Sequence, residues 1–552
     1  LLLIAVYIAA ASAATSISAL MQAQLNPPMN NAALTRIQEL CTGVELAAFD
    51  EAGWFDAENR AERGAVSPQY LLQATVRILG GVATVASAVV VVALVHPLLL
   101  PLILLTIAPR WWSAVRVGRL DFAVFIRQSE GRRRVAQIAS IGQSISQAAE
   151  VRALSLQNYL IGRYRRIAGT MVAENVALQR AETLSEMLGD AVAGLAVTVV
   201  YVVLGLLLWR QVIPLAAGGT AVIAIGRAQN SLLQLVTSVN SLYAEGLFLD
   251  GYLKFCEHAE TRLPQPATAE VPDGFDTITL QDVTFAYTGA QTPALAGASM
   301  TIRRGEVVAL VGENGAAKTT LGKLIGRLYL PDSGQILWDG QDIAAMDPDA
   351  LRSRIAYIGQ DGARYPFTAA ECIRVGDWRR PEADGAVAAA ARASGAHEFI
   401  TALPSGYQTL MDRSLSWGTN VSGGQHQRIN LARGFYRQAE LVIADEPTSN
   451  LDAAAEIDFY RRLRSYGGTV VMVTHRLNAV QACADRIYVL EHGRISAAGT
   501  HEELMADPAG GWYRNSYLLQ QNSFTTRADS ESTPAPQGLE DGAGGDPEGD
   551  AT

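Results

Sequence analysis

The sequence predicts two structural classes in one chain: an all-α region of several membrane-spanning helices, followed by an α/β domain. Three observations carry this. Apolar residues make up 49% of the 552 positions and are concentrated in the first 250, in runs with no polar face such as Val89-Val-Val-Val-Ala-Leu94. A soluble amphipathic helix would keep a polar face. The stretch from Pro264-Gln-Pro266 to Gly274 then reads as a polar linker. From Ile278 the pattern becomes short alternating strands (Ile278-Thr-Leu280, Val283–Tyr287, Val307–Val311) interleaved with helical segments, as in a mixed sheet with a ligand site at its strand ends. A chain of this length exceeds a single core and divides into domains.

Five spans are expected in the first half, at about 1–23, 73–95, 98–108, 187–209 and 212–235. Each approaches the length of a membrane crossing except 98–108, which needs flanking residues such as Trp111 and Trp112. The segment from Arg110 to Arg180 is rich in arginine, including Arg132-Arg-Arg134, so it is expected on the cytoplasmic side. The turns at His96-Pro97 and Trp209-Arg210 then face outward, and the polar stretch 24–72 lies inside. The chain opens on Leu1-Leu-Leu-Ile without Met or a basic start, which reads as a membrane helix already in progress rather than a signal peptide. Arg227 is an ionisable residue within the last expected span. Two readings stay open for it: snorkelling or pairing with an acid such as Asp190, or contact with an anionic cargo group.

The second half carries an ordered triplet of motifs. Gly312-Glu-Asn-Gly-Ala-Ala-Lys-Thr319 is a near-match to a phosphate-cradling loop, where small residues admit backbone N–H groups, Lys318 reaches the outer phosphates and Thr319 can ligate Mg²⁺. Leu441-Val-Ile-Ala-Asp-Glu446 is an apolar strand ending in two carboxylates, Asp445 for Mg²⁺ and Glu446 to activate water. Between them stands Val421-Ser-Gly-Gly-Gln425, just before a basic helix. The chain has three lysines, and one of them, Lys318, sits where a compact ammonium must meet phosphate. Ala317 replaces the glycine usual before that lysine. If the loop demands a left-handed residue there, alanine costs roughly 1–2 kcal/mol. Ala317 is then either accommodated with a small loss of affinity or the mark of a site impaired in nucleotide binding.

This set resembles the ABC ATPases, and the chain as a whole resembles an ABC exporter half-transporter. The resemblance implies an all-α polytopic membrane domain of six-helix type over 1–258, with its first helix missing and five spans present. A linker at 259–277 and an α/β P-loop ABC ATPase domain at 278–519 would follow; the Ser/Thr/Pro/Gly/Asp/Glu-rich composition after about Leu519 predicts a disordered acidic tail at 520–552. It implies ATP and Mg²⁺ as cofactors, with Tyr287 stacking on adenine. Gly312, Glu313, Asn314, Gly315, Ala316, Ala317, Lys318, Thr319 and Thr320 would bind the phosphates. Ser422, Gly423, Gly424 and Gln425 would contact the nucleotide held by a second subunit, their helix start favouring an anion. Thr319, Gln360 and Asp445 are expected around Mg²⁺. Glu446, His475, Gln360 and Lys318 are the expected catalytic groups, and Ser449-Asn-Leu-Asp452 resembles the loop that crosses to the partner. Phe49–Asp56 and Ala148–Leu154 match the coupling segments of the membrane half.

The expected activity is ATP-driven export across a bacterial plasma membrane by a dimer with a second half-transporter, the ATPase domain being cytoplasmic. The alternative is a weakly hydrolysing regulatory subunit of a heterodimer, because of Ala317. Nucleic acid is not expected as a partner: the net charge is −10 and there is no basic stripe with interleaved aromatics. Cys41, Cys256, Cys372 and Cys483 are scattered and read as small apolar residues, not as a metal or disulfide framework. The motifs are shared by exporters of peptides, lipids, drugs and siderophores, so they specify no cargo.

Overall fold

The computed structural model describes residues 2–96, 127–360, 362–381, 383, 385–413, 417–447, 453–465, 468–507 and 511–531, with scattered positions between 101 and 124. The chain divides into two units, Leu1–Val44 with Gly53–Arg262, and Glu45–Ala52 with Leu263–Thr552.

The first unit is helical. Its long helices are Leu2–Gly43, Ser67–Val95, Gln157–Trp209 and Leu215–Glu260, with shorter ones at Trp54–Ala65, Ser129–Gln143 and Ile145–Ala153. At 53 residues, Gln157–Trp209 is about 80 Å long, far beyond a hydrocarbon core of about 30 Å. The apolar stretch 187–209 is thus the end of a helix whose first half is polar. The expected span 98–108 falls almost wholly outside the described residues.

Among the described residues two helical runs, Trp54–Val95 and Gln157–Trp209, are long and apolar enough to cross a membrane. Only 17% and 22% of their apolar windows are buried, so they are not the core helices of a soluble fold. The distribution of side-chain size agrees. Along Gln157–Trp209 the buried residues are Ser185, Gly189, Ala193, Ala196, Val200 and Leu204, while Leu184, Leu188 and Leu195 are exposed. Along Ser67–Val95 the buried stripe is Ala74, Gly81, Ala88 and Val92. A Cβ at Gly81 would come within 2.8 Å of Leu235 on the facing helix. Small residues inside and large apolar residues outside is the pattern of helices packed in lipid, where close backbone approach replaces the hydrophobic effect. Arg227 is exposed on Leu215–Glu260, beside buried Ala224, Ile225 and Ala228.

The second unit is α/β. A six-stranded sheet has the order β10-β9-β3-β8-β7-β6, built from β3 (Val307–Gly312), β6 (Ile355–Ile358), β7 (Leu441–Asp445), β8 (Thr469–Val473), β9 (Arg486–Glu491) and β10 (Arg494–Gly499). All its pairings are parallel except β9 with β10. A smaller antiparallel sheet has the order β2-β1-β4-β5, from β1 (Thr277–Phe285), β2 (Leu295–Arg303), β4 (Ser333–Trp338) and β5 (Gln341–Asp342). The period of two in β3 divides the core. Val307, Ala309 and Val311 join a cluster with Ile429, Leu431 and Phe435, whereas Val308 and Leu310 join one with Ile278, Leu280 and Leu295. Both faces of the sheet are covered, so β3, β7 and β8 are buried throughout, and the only polar residues among them are Thr469 at the start of β8 and Asp445 at the end of β7.

Two expectations are modified here. The stretch from 520 was expected to lack structure, but the last helix runs from Trp512 to Glu531, and residues 532–552 lie outside the described residues. The expected coupling stretch Phe49–Asp56 is divided. Residues through Ala52 group with the α/β unit, while Trp54 opens a helix of the first unit. Within the α/β unit, Arg327 is bonded to Glu45 at 3.0 Å, and Tyr329 OH donates to Asp50 at 2.7 Å. The second stretch, Ala148–Leu154, largely coincides with the helix Ile145–Ala153.

Candidate functional site

The site lies where the parallel strands end. β3 delivers Gly312 to the loop, and a Cβ there would sit 2.1 Å from the Leu490 carbonyl, so glycine is required. The loop closes at Ala317, which caps the helix Lys318–Ile325 with φ 71 and ψ 24. The left-handed demand is therefore real, and alanine meets it with its side chain packed at the edge of the β1-side core. Ala317→Gly trades relief of roughly 1–2 kcal/mol of backbone strain against the greater unfolded-state freedom of glycine, about 0.4–1 kcal/mol. The expected result is a gain of about 1 kcal/mol or less, read from the denaturation midpoint of the α/β unit.

Lys318 is 5% exposed, and its Nζ donates to the carbonyls of Gly312 and Glu313, each at 2.9 Å. Burial lowers its pKa, and the nearby Glu446 and Asp445 carboxylates oppose that. Thr319 Oγ1 donates to Asp445 Oδ1 at 2.9 Å across 126 residues of sequence. Asp445 ends β7, is 2% exposed and also accepts from Tyr357 OH at 2.8 Å. Burial raises its pKa, while the hydrogen bonds from Tyr357 and Thr319 hold it down. Tyr357 itself is raised by burial and by the Asp445 charge.

Glu446 follows directly, with φ 45, and its N–H donates to the Val473 carbonyl at 2.9 Å. A left-handed glutamate is strained backbone of the kind that concentrates at functional sites. Its two carboxylate oxygens meet different partners. Gln360 Nε2, just past β6, donates to Oε2 at 3.2 Å. His475 Nδ1, just past β8, stands 3.4 Å from Oε1. Lys318, Thr319, Gln360, Asp445, Glu446 and His475 are thus drawn together from four strand ends, the position at which open α/β sheets bind ligands.

The remaining expected residues lie elsewhere. Tyr287 is half-buried, its OH 3.0 Å from Thr320 Oγ1 and its ring edge-on to Phe285 and Tyr329 at 5.1 and 5.5 Å. Ser422 caps the helix Gly423–Arg437. Its side chain accepts from Gln425 N–H, and the Gln425 side chain accepts from Ser422 N–H. This leaves the N–H groups of Gly423 and Gly424 at a helix start. Glu313, Asn314, Gly315 and Ala316 lie in the turn between β3 and Lys318. Ser449–Asp452 fall outside the described residues. Nothing in the sequence assigned a role to Tyr357, three residues before Gln360. Its only local signal is a polar-tipped aromatic in an otherwise apolar strand.

The pairing of a Thr hydroxyl with a buried carboxylate offers hard oxygen ligands, which suit Mg²⁺ held mainly by phosphate and water. The loop N–H groups and Lys318 suit the phosphates themselves.

Comparison with known proteins agrees with this architecture. The family model described as ABC transporter matches residues 295–449. An uncharacterized ABC transporter ATP-binding protein of Bacillus subtilis is 31% identical over 463 residues, covering 81% of this chain and 72% of that protein. A cyclolysin secretion/processing ATP-binding protein of Bordetella pertussis is 40% identical over 255 residues, covering 46% of this chain and 35% of that protein. An ATP-dependent lipid A-core flippase of Thiobacillus denitrificans is 40% identical over 245 residues, 44% of this chain and 41% of that one. The chain spans about a third of the length of the Bordetella relative and of others like it. In fold, a bacterial Atm1-family ABC exporter with ATP bound superposes with TM-score 0.77 at 21% identity, covering 92% of this chain and 87% of that one.

Proposed function

Because the chain belongs to the ABC transporter family, we propose that it is a half-transporter that couples ATP hydrolysis to export of a substrate across a bacterial plasma membrane. The observation that best supports this is the meeting of Lys318, Thr319, Gln360, Asp445, Glu446 and His475 at the ends of β3, β6, β7 and β8, on a chain that also carries exposed apolar helices. The ATPase domain is assigned from 278 to the end of the last helix at Glu531, on the cytoplasmic side, and the membrane domain to 1–258.

In this reading Lys318 releases the Gly312 and Glu313 carbonyls to meet the outer phosphates. The loop residues 312–317, with Thr319 and Thr320, hold the phosphate chain, and the ring of Tyr287 turns to the adenine. Thr319, Asp445 and Gln360 hold Mg²⁺, which when bound neutralises charge on the phosphates. Glu446 orients the attacking water and draws its proton, and His475 contacts the terminal phosphate. The helix start at Ser422, Gly423, Gly424 and Gln425 faces the nucleotide of a second half-transporter, so that two nucleotides join two ATPase domains. Release after hydrolysis resets the membrane helices.

Tyr357→Phe tests the Mg²⁺ side of the site. Removing the hydroxyl takes away a bond that favours ionised Asp445, so its pKa rises further. The sign for stability follows. A carboxyl with a raised folded pKa destabilises once it ionises, so the deficit of Tyr357→Phe is largest at neutral pH and narrows on acidification.

The left-handed Ala317 favours a second reading, a regulatory subunit that hydrolyses weakly. Phosphate release by the purified protein, with and without Ala317→Gly, separates the two. Turnover by the unaltered chain supports the first reading, and turnover only after the substitution supports the second. If neither hydrolyses ATP alone, a heterodimer with a catalytic partner is the remaining assignment.

A further inference from the structure

The expected domain ended at 519, yet the helix Trp512–Glu531 continues and its next residue, Gln520, reaches the catalytic edge. Gln520 Nε2 donates to the His475 carbonyl at 2.9 Å, and its Oε1 accepts from Leu477 N–H at 3.0 Å. One amide side chain therefore uses a donor and an acceptor to clasp the backbone on both sides of Arg476. The second of these bonds satisfies a free N–H at the start of the helix Leu477–Cys483, which has no side-chain cap of its own. The clasping helix is itself anchored. Tyr517 OH donates to Gln481 at 2.6 Å, and Tyr513 OH lies 2.8 Å from His501 Nδ1. The His475 ring, by contrast, is half exposed and touches Glu446 only at 3.4 Å. Its placement depends on its backbone.

We propose that Gln520 is a positioning residue for ATP hydrolysis, holding His475 in register with Glu446 from the last helix of the ATPase unit. This rests on the reading of His475 given above. Gln520 touches neither reacting atom, so its loss should affect turnover through geometry alone, where displacements of about 1 Å can cost up to 100-fold.

The test is a double-mutant cycle on the full chain, with His475→Ala, Gln520→Ala and the combination, read as kcat for phosphate release and as Kd for MgATP. Gln520→Ala is expected to lower kcat about fivefold to tenfold while Kd changes less than about twofold, and to add nothing in the His475→Ala background. A merely structural role would instead lower kcat equally in both backgrounds. Gln520→Met, which fills similar volume without the two hydrogen bonds, should behave as Gln520→Ala and carries the test if alanine unfolds the helix. Wild-type turnover in either folded variant, or additivity with His475→Ala, overturns the proposal. If His475→Ala itself turns over normally, the role assigned to His475 fails instead.

Discussion

Replacing Glu446 by glutamine is expected to lower ATP turnover by about 10²–10⁴-fold, the range that one positioned general base supplies. Binding of MgATP should survive, because the proposed Mg²⁺ ligands Thr319 and Asp445 keep their mutual 2.9 Å contact and Lys318 is untouched. Glutamine also preserves the shape of the side chain and an acceptor for Gln360. What it loses is the negative charge that draws a proton from water. With binding intact and hydrolysis blocked, two nucleotides should hold two ATPase domains together, so the variant should elute as a nucleotide-loaded, closed dimer. Parallel measurements of phosphate release, retained nucleotide and light scattering check all three parts. Turnover within tenfold of the unaltered protein would remove Glu446 from the mechanism, whatever the state of the dimer.

The largest expected effect on stability comes from Glu45. Arg327 is 3% exposed, and its guanidinium is bonded to Glu45 at 3.0 Å. Arg352 approaches the same carboxylate at 3.4 Å. Burial lowers the pKa of Arg352, and the Glu45 charge opposes that most strongly. Two guanidinium groups thus meet at one carboxylate; Arg352 has a second acid, Asp349, at 3.8 Å, whereas Arg327 is paired with Glu45. Glu45→Ala leaves the buried Arg327 without a counter-charge, and breaking a buried pair from one side costs about 3–5 kcal/mol. Glu45 keeps some contact with solvent, so the lower end, about 3 kcal/mol, is expected. Arg327→Met should cost less, because it removes the stranded charge and fills the space. The check is the unfolding midpoint of the α/β unit, followed separately from the helical unit because a two-unit chain is not two-state. Equal losses for Glu45→Ala and Arg327→Met would show that shape, not charge, holds Glu45–Ala52 in place.

The two predictions differ in how far their grounds can be read from the chain alone. Glu446 stands out because the carboxylate directly follows an apolar strand, in a chain that carries a phosphate loop earlier. Glu45 has no such mark. It is one acid in a polar stretch, and its partner Arg327 lies 282 positions away. Tyr357 with Asp445 is 88 positions apart, and Gln520 with His475 is 45. The change in composition after about 519 suggested an end to structure, but the tyrosines that anchor the last helix do so through partners earlier in the chain.

Ala317 marks the boundary between the two kinds of knowledge. Its identity posed a conditional question, and the backbone value of φ 71 answers it. By itself the sequence determined what is local: apolar runs long enough to span a bilayer, the turn of small residues before Lys318, and acids and a histidine at strand ends. Chain stiffness fixes geometry over a few residues, so a motif carries its own shape. The tertiary structure alone decided which buried charges are paired, which hydroxyl holds Asp445, and which side chain clasps His475. Those contacts depend on the parallel order of the sheet, which brings strands from distant parts of the chain to one edge, and no short stretch of sequence encodes that neighbourhood.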